Sequence, residues 1–127
     1  MRVIAGAARG TRLRSPSFSG TRPITDRGKE ALFGILAPRL AGTRYLDLFA
    51  GTGAVGIEAL SRGARHATFV ERNDLALGDL AWNLHRTRLA AHATVVKDDV
   101  FSFLRRRGTA QFDVVWLAPP QWHGLWE

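Results

Sequence analysis

Ten residues, Asp47 to Gly56, read DLFAGTGAVG and constrain everything around them. A short apolar stretch, Tyr45-Leu46, leads in, and a helical pattern, Ile57-Glu58-Ala59-Leu60, leads out. A strand that enters a glycine loop and leaves as a helix is how open α/β sheets hold nucleotide-like ligands. Gly51, Gly53 and Gly56 have the spacing G-x-G-x-x-G. Each glycine can serve a tight turn, a close approach of backbone to ligand, or a close helix–strand contact. That spacing alone is a weak signal. Glu71 strengthens it, because it closes the next apolar run (Thr68-Phe69-Val70) 20 residues after Gly51. A carboxylate there can accept both hydroxyls of a ribose.

Asp47 discriminates between ligands. A pyrophosphate against this loop is repelled by a carboxylate just before the first glycine, whereas a cationic amino-acid end is attracted. S-adenosylmethionine carries an adenosine, a ribose and an ammonium-bearing methionine tail, so it fits Asp47, Gly51, Gly53 and Glu71 better than a dinucleotide does. A plainer alternative keeps Asp47 as a cap on the loop and the glycines as turn formers. That alternative covers the glycines but leaves Glu71 without a role.

The chain has 127 residues, 46% of them hydrophobic and 23% charged, which suits one globular domain. It has no cysteine, so disulfides and thiolate metal sites are excluded. The four histidines, His66, His85, His92 and His123, lack metal-ligand spacing, and no metal is expected. No apolar run reaches the roughly 20 residues that span a bilayer. Arg2, Arg9, Arg12 and Arg14 interrupt any signal-peptide core, so the expected location is the cytoplasm. The net charge is +7, and all of the excess lies in residues 1–45, where nine Lys/Arg face Asp26 and Glu30. Residues 46–127 hold nine basic and nine acidic groups. A one-sided basic segment is the footprint expected for a polyanion such as nucleic acid; the bland reading is a solvated arginine-rich surface.

Along the chain, residues 2–15 read as two short strands around Gly6 to Gly10, with Arg2/Ile4 and Arg12/Arg14 at alternate positions that put arginines on one face. Residues 16–23 form a Ser/Gly/Pro-rich loop. A helix is expected from Thr25 or Asp26, with Leu32, Phe33, Ile35, Leu36 and Leu40 as its buried stripe and Pro38 near its end. Strands follow at about 44–49, 66–71, 93–97 and 112–117, and helices at about 54–62, 74–89 and 99–107, with Gly63 and Gly108 at the C-terminal caps. This alternation predicts an α/β fold with a parallel sheet. The division expected is 1–24 as a basic hairpin and loop, then 25–127 as the ligand-binding domain.

With these pieces placed, the chain resembles the RsmD family of guanine-N2 methyltransferases that act on bacterial small-subunit ribosomal RNA. RVIAG and RGTRL resemble that family's basic N-terminal hairpin, and TRPITDRGKEALFGIL (Thr21 to Leu36) its signature loop and first helix. LDLFAGTGAVGIEALSRGA (Leu46 to Ala64) is similar to its cofactor motif, FVER (Phe69 to Arg72) to its ribose-binding strand end, and VVKDDVFSFL (Val95 to Leu104) to its adenine-contacting segment. The resemblance implies a Rossmann-like class I methyltransferase sheet. It also implies an S-adenosyl-L-methionine site at Asp47, Phe49, Gly51, Gly53, Glu71, Arg72, Asp99 and Val100, with Asp99 meeting the adenine amine. Arg2, Arg9, Arg12, Arg14, Arg22 and Arg27 would hold phosphates of ribosomal RNA or of an immature small ribosomal subunit.

Two departures from the family stand out. After the fourth strand the family usually carries Asp or Asn and then Pro-Pro-Tyr, and these residues hold and stack the flipped base. This chain has Ala118, Pro119, Pro120 and Gln121, which lack the side-chain acceptor and the ring; the nearest ring, Trp122, is displaced by one position and is a poor substitute. The chain also stops seven residues after Pro120, so strands that follow the fourth in such enzymes are expected to be missing. Strand 112–117 then becomes an apolar edge able to pair with another copy. Two rival readings follow: a non-catalytic RNA- or cofactor-binding relative, and an amino-methyltransferase acting on DNA.

Overall fold

The computed structural model describes residues 1–16 and 24–118. Its elements in chain order are α1 (Asp26–Leu40), β1 (Arg44–Leu48), α2 (Ala54–Ser61), β2 (His66–Glu71), α3 (Asp74–Thr87), β3 (Ala93–Lys97), α4 (Val100–Arg107) and β4 (Val114–Leu117). One 3₁₀ turn, Ala90–His92, links α3 to β3. The strands form one parallel sheet in the order β3-β2-β1-β4. The α/β expectation therefore holds, and among the described residues β4 stands at an edge of the sheet.

Burial follows position in the sheet. The central strands are covered on both faces: Tyr45, Leu46, Ala67, Phe69 and Val70 are wholly buried. The outer strands are not, and Val95, Val115 and Leu117 stay exposed. One face packs against α1, α2 and α3 through Phe33, Tyr45, Ile57, Phe69 and Leu80. The other packs against α4 through Leu46, Leu48, Val70, Val100 and Phe103.

Several boundaries move for identifiable reasons. Thr25 caps α1, its hydroxyl accepting from Gly28 N–H at 3.0 Å. Of the stripe expected in α1, Phe33 and Leu40 are buried and Leu32 and Leu36 pack against the core; Lys29 joins them and Ile35 does not. Ile35 lies two residues past Phe33, roughly 200° around the helix, and is 78% exposed. α3 ends at Thr87 because Arg88 turns left-handed, φ 62°, and closes a cap on His85. β4 begins at Val114, since Phe112 N–H turns back to Thr109 and Asp113 accepts the Arg44 N–H.

The N-terminal segment departs most from expectation. Only Arg2 and Arg12 form a β-bridge, with backbone bonds from Val3 to Thr11 and from Leu13 to Met1 on either side. The strands stay short because Ile4 and Ala5 N–H donate to the Glu58 carboxylate of α2 at 2.9 and 3.1 Å instead of to a partner strand. Lys29 Nζ also reaches Glu58, at 3.4 Å, and donates to the Arg2 carbonyl at 2.7 Å; Arg62 Nε donates to Glu58 at 2.8 Å. Lys29 and Glu58 are both fully buried, and burial lowers the Lys29 pKa against the opposing pull of Glu58. A buried carboxylate survives only when its lone pairs are met, and here two backbone donors and two cations meet them. Val3, Ala8 and Leu13 join the same core as Ile57 and Phe69, so the hairpin is built into the sheet's main core.

Candidate functional site

The glycine loop leaves β1 through a strained residue. Phe49 has φ 60°, a left-handed conformation that costs a non-glycine residue about 1–2 kcal/mol. Such strain concentrates at ligand sites. Gly51 follows at φ 59° and Gly53 at φ 84°, and Gly53 caps α2. A Cβ on Gly53 would lie 2.2 Å from Leu80 Cδ1, and one on Gly56 would lie 2.3 Å from the Phe69 ring. Gly56 thus permits helix–strand contact, while a Cβ on Gly51 would meet no atom within 4 Å. Of the three jobs expected of G-x-G-x-x-G, the close helix–strand contact falls to Gly56 and the left-handed turns to Gly51 and Gly53.

Glu71 sits where its spacing promised. Its Oε1 accepts from Gly51 N–H at 2.8 Å, and its Oε2 accepts from the Arg72 and Asn73 N–H groups at 3.1 and 3.0 Å. Asp99 caps α4 through Oδ2, which accepts from Ser102 N–H at 3.0 Å, while its Oδ1 lies 3.6 Å from Arg72 Nη1. The Phe49 and Phe101 rings meet edge to face at 6.4 Å, closing the gap between the loop and α4. Phe49, Gly51, Gly53, Glu71, Arg72 and Asp99 therefore gather at the carboxyl ends of the strands.

Two expected site residues lie deeper. Asp47 is 2% exposed, and its Oδ2 accepts from Gly56 N–H at 3.0 Å, fastening the first turn of α2 from below. Burial pushes its pKa up to about 8; the neighbouring Glu71 adds to the rise and the Gly56 N–H opposes it. Val100 is buried in the core beneath α4 with Leu46, Leu48 and Val70. Ala118 ends the described chain one residue past Leu117, which pairs with Leu48 of β1, so it stands beside the loop's entry. Pro119, Pro120, Gln121 and Trp122 lie outside the described residues.

The arginines split between hairpin and helix. Arg2, Arg9, Arg12, Arg14 and Arg27 are all exposed; Arg22 lies outside the described residues. Arg2 pairs with Asp26 at 3.3 Å, and Arg14 stacks over Trp82 at 4.4 Å. No sequence pattern pointed to Asn83, which is fully buried. Its side chain accepts from Arg14 N–H at 2.7 Å and donates to the carbonyl of Thr52, inside the glycine loop, at 2.9 Å. The base of the arginine segment is thereby joined to the glycine loop by one side chain. Among the described residues no group of three or more His, Asp or Glu gathers as metal ligands, and no helix is long and apolar enough to cross a membrane.

A family model described as conserved hypothetical protein 95 matches residues 1–126. The chain belongs to this family. The resemblance read from the motifs is borne out by a curated family relative, ribosomal RNA small subunit methyltransferase D of Escherichia coli K12. That relative is 43% identical over 127 residues, covering all of this chain and 63% of its own length. The structure of a hypothetical protein from Thermus thermophilus superposes with a TM-score of 0.81 at 41% identity, over 94% of this chain and 69% of that one. The structure of SMU.776 complexed with SAH superposes with a TM-score of 0.62 at 25% identity, over 72% of this chain and 25% of that one. The chain spans less than two thirds of the length of the curated relatives it matches.

Proposed function

We propose that the chain is the cofactor-binding part of a cytoplasmic, S-adenosylmethionine-dependent methyltransferase acting on the exocyclic N2 amine of a guanine in small-subunit ribosomal RNA. The observation that carries this reading is the meeting of Gly51 N–H, Glu71 and Asp99 at the carboxyl ends of β1, β2 and β3. The residues present fit the cofactor: an open space faces Gly51, and Glu71 and Asp99 present carboxylate oxygens beside it. When bound, S-adenosylmethionine supplies an electrophilic sulfonium methyl. Glu71 takes the ribose hydroxyls and Asp99 the adenine amine. An ionised carboxylate has about four acceptor sites, and backbone donors fill three at Glu71. A ribose diol therefore displaces or shares one of these N–H groups, and the loop adjusts as the ligand enters.

The backbone carbonyl of Ala118 accepts a hydrogen bond from the guanine amine and turns the nitrogen lone pair toward the methyl, so catalysis is mainly positioning. Arg2, Arg9, Arg12, Arg14 and Arg27 hold the phosphates, and Asn83 keeps the arginine segment in register with the loop. The exposed Val115 and Leu117 of β4 form an edge through which the chain pairs with a second copy. Radioactive methyl transfer to immature small ribosomal subunits tests the activity: incorporation into a guanine supports it. Intact cofactor and RNA binding without incorporation would instead favour a non-catalytic RNA-binding relative, the reading that Ala118 motivates.

A further inference from the structure

Charges that cancel when residues 46–127 are summed do not cancel in space, and Arg44 from the basic first third joins two of them. Arg44 opens β1, Arg65 precedes β2 and His66 opens it, and Arg107 closes α4. All four line one cavity of about 560 Å³ on the α4 face, at the amino ends of the strands and so at the opposite end from the glycine loop. Thr68 and Thr94 add hydroxyls to its wall, and the buried Phe103 ring forms part of its floor. Among the described residues the ion pairs are made by Arg2, Lys29, Arg62, Arg72, Lys97 and Arg106. Arg44, Arg65 and Arg107 make none, so three of the arginines that line this cavity have no ion-pair partner among the described residues. One oxygen of the nearby Asp113 accepts from the Arg44 backbone N–H at 2.9 Å.

His66 reports the local field. Its Nε2 lies 2.8 Å from Thr94 Oγ1. Its pKa is lowered first by burial and then by the positive charges of Arg44, His92 and Arg65. An anion in the cavity would reverse that electrostatic pressure. Guanidinium forks match phosphate oxygens two at a time, and threonine hydroxyls add neutral donors. The cavity falls within the size range of small-molecule sites, roughly 300–1,000 Å³, and so has room for more than a bare phosphate.

We propose that this cavity binds a phosphate group, carried either by an RNA backbone or by a free phosphorylated small molecule. The site is independent of the cofactor reading, because its residues belong to the opposite end of the sheet. The test uses the 127-residue chain without cofactor. Inorganic phosphate, a nucleoside monophosphate and a short single-stranded RNA are titrated in turn, at ionic strength matched with chloride. The His66 ring resonances and the affinity are followed. Saturable binding of at least one probe with a rise in the His66 pKa is expected. The Arg65→Gln/Arg107→Gln double variant, altered only at exposed positions, should melt like the parent and bind the probe at least about tenfold more weakly. If RNA is the source, the double variant lowers the log–log salt slope by about 1.4 and phosphate competes with RNA. If a free phosphorylated molecule is the source, the slope stays fixed while the small probes lose affinity. Absence of any His66 response to all three probes, or equal affinity in parent and variant, would overturn the proposal.

Discussion

The two ends of the sheet carry opposite chemistry. At the carboxyl ends, Asp47, Glu71, Asp98 and Asp99 cluster, but each is held: by Gly56 N–H, by three loop N–H groups, by Arg106, and by Ser102 N–H with Arg72 nearby. At the amino ends, Arg44, Arg65, His66 and Arg107 cluster, and the three guanidinium groups lack ion-pair partners among the described residues. One end holds carboxylates already met by backbone N–H groups or cations; the other holds arginines without ion-pair partners among the described residues. A parallel sheet produces this difference readily, because every strand puts its amino end on the same side, and local sequence need only place charges at strand termini. Net charge by segment therefore says little about local field once the chain is folded.

The strongest way to break the comparison is to remove what both ends share. Glu58→Ala deletes the buried acceptor that ties the hairpin and Lys29 to α2. Leaving Lys29 buried without its partner should cost about 3–5 kcal/mol, read as a fall in the denaturant midpoint. Both ends should weaken together. Gly53→Ala acts on one end only: it forces a side chain to φ 84° and into Leu80. A loss of about 2–4 kcal/mol is expected, along with cofactor affinity, while phosphate binding to the refolded native fraction stays unchanged.

Acid–base behaviour sharpens the contrast. Asp47 has a folded pKa of about 8 against an ordinary 3.8. Between those values the folded chain keeps a proton that the unfolded chain has released, so stability falls as pH rises from about 3.8 to about 8. Melting curves of wild type and Asp47→Asn across this window should differ in slope, with the variant flatter; parallel curves would show that Asp47 is ionised in the folded chain. The smallest effect belongs to Lys97 and Asp74, an ion pair at 2.6 Å whose side chains are 63% and 79% exposed. Lys97→Ala should change stability by at most about 1 kcal/mol, and the difference should vanish in high salt.

How much was readable beforehand follows from range. The glycine loop, Glu71 and the strand–helix alternation were legible because each is a local pattern of fixed spacing. Ile35 is apolar like Phe33, but the helical step of about 100° per residue turns it to solvent, and Lys29 carries no local sign of burial because a lysine is rarely buried unless paired. Its partner Glu58 lies 29 residues away, and Ile4 lies 54 residues from the same carboxylate. Asn83 joins Arg14 to Thr52 across separations of 69 and 31 residues. The basic cavity draws on β1, β2, β3 and α4 at once. Nothing local in these side chains distinguishes them from solvated ones; only the register of the sheet brings them together.

Calorimetric titration of S-adenosylmethionine into the 127-residue chain and its Glu71→Ala variant tests the cradle at the carboxyl ends most directly. One saturable site is expected in the wild type, weakened in the variant by about 1.5–3 kcal/mol, or roughly 10- to 150-fold, through loss of a charge-assisted acceptor. The melting temperature of each protein, measured alongside, confirms that both are folded at the titration temperature. Absence of binding by the folded wild type, or equal affinity in the two proteins, would contradict a cofactor site built on Glu71 and the glycine loop.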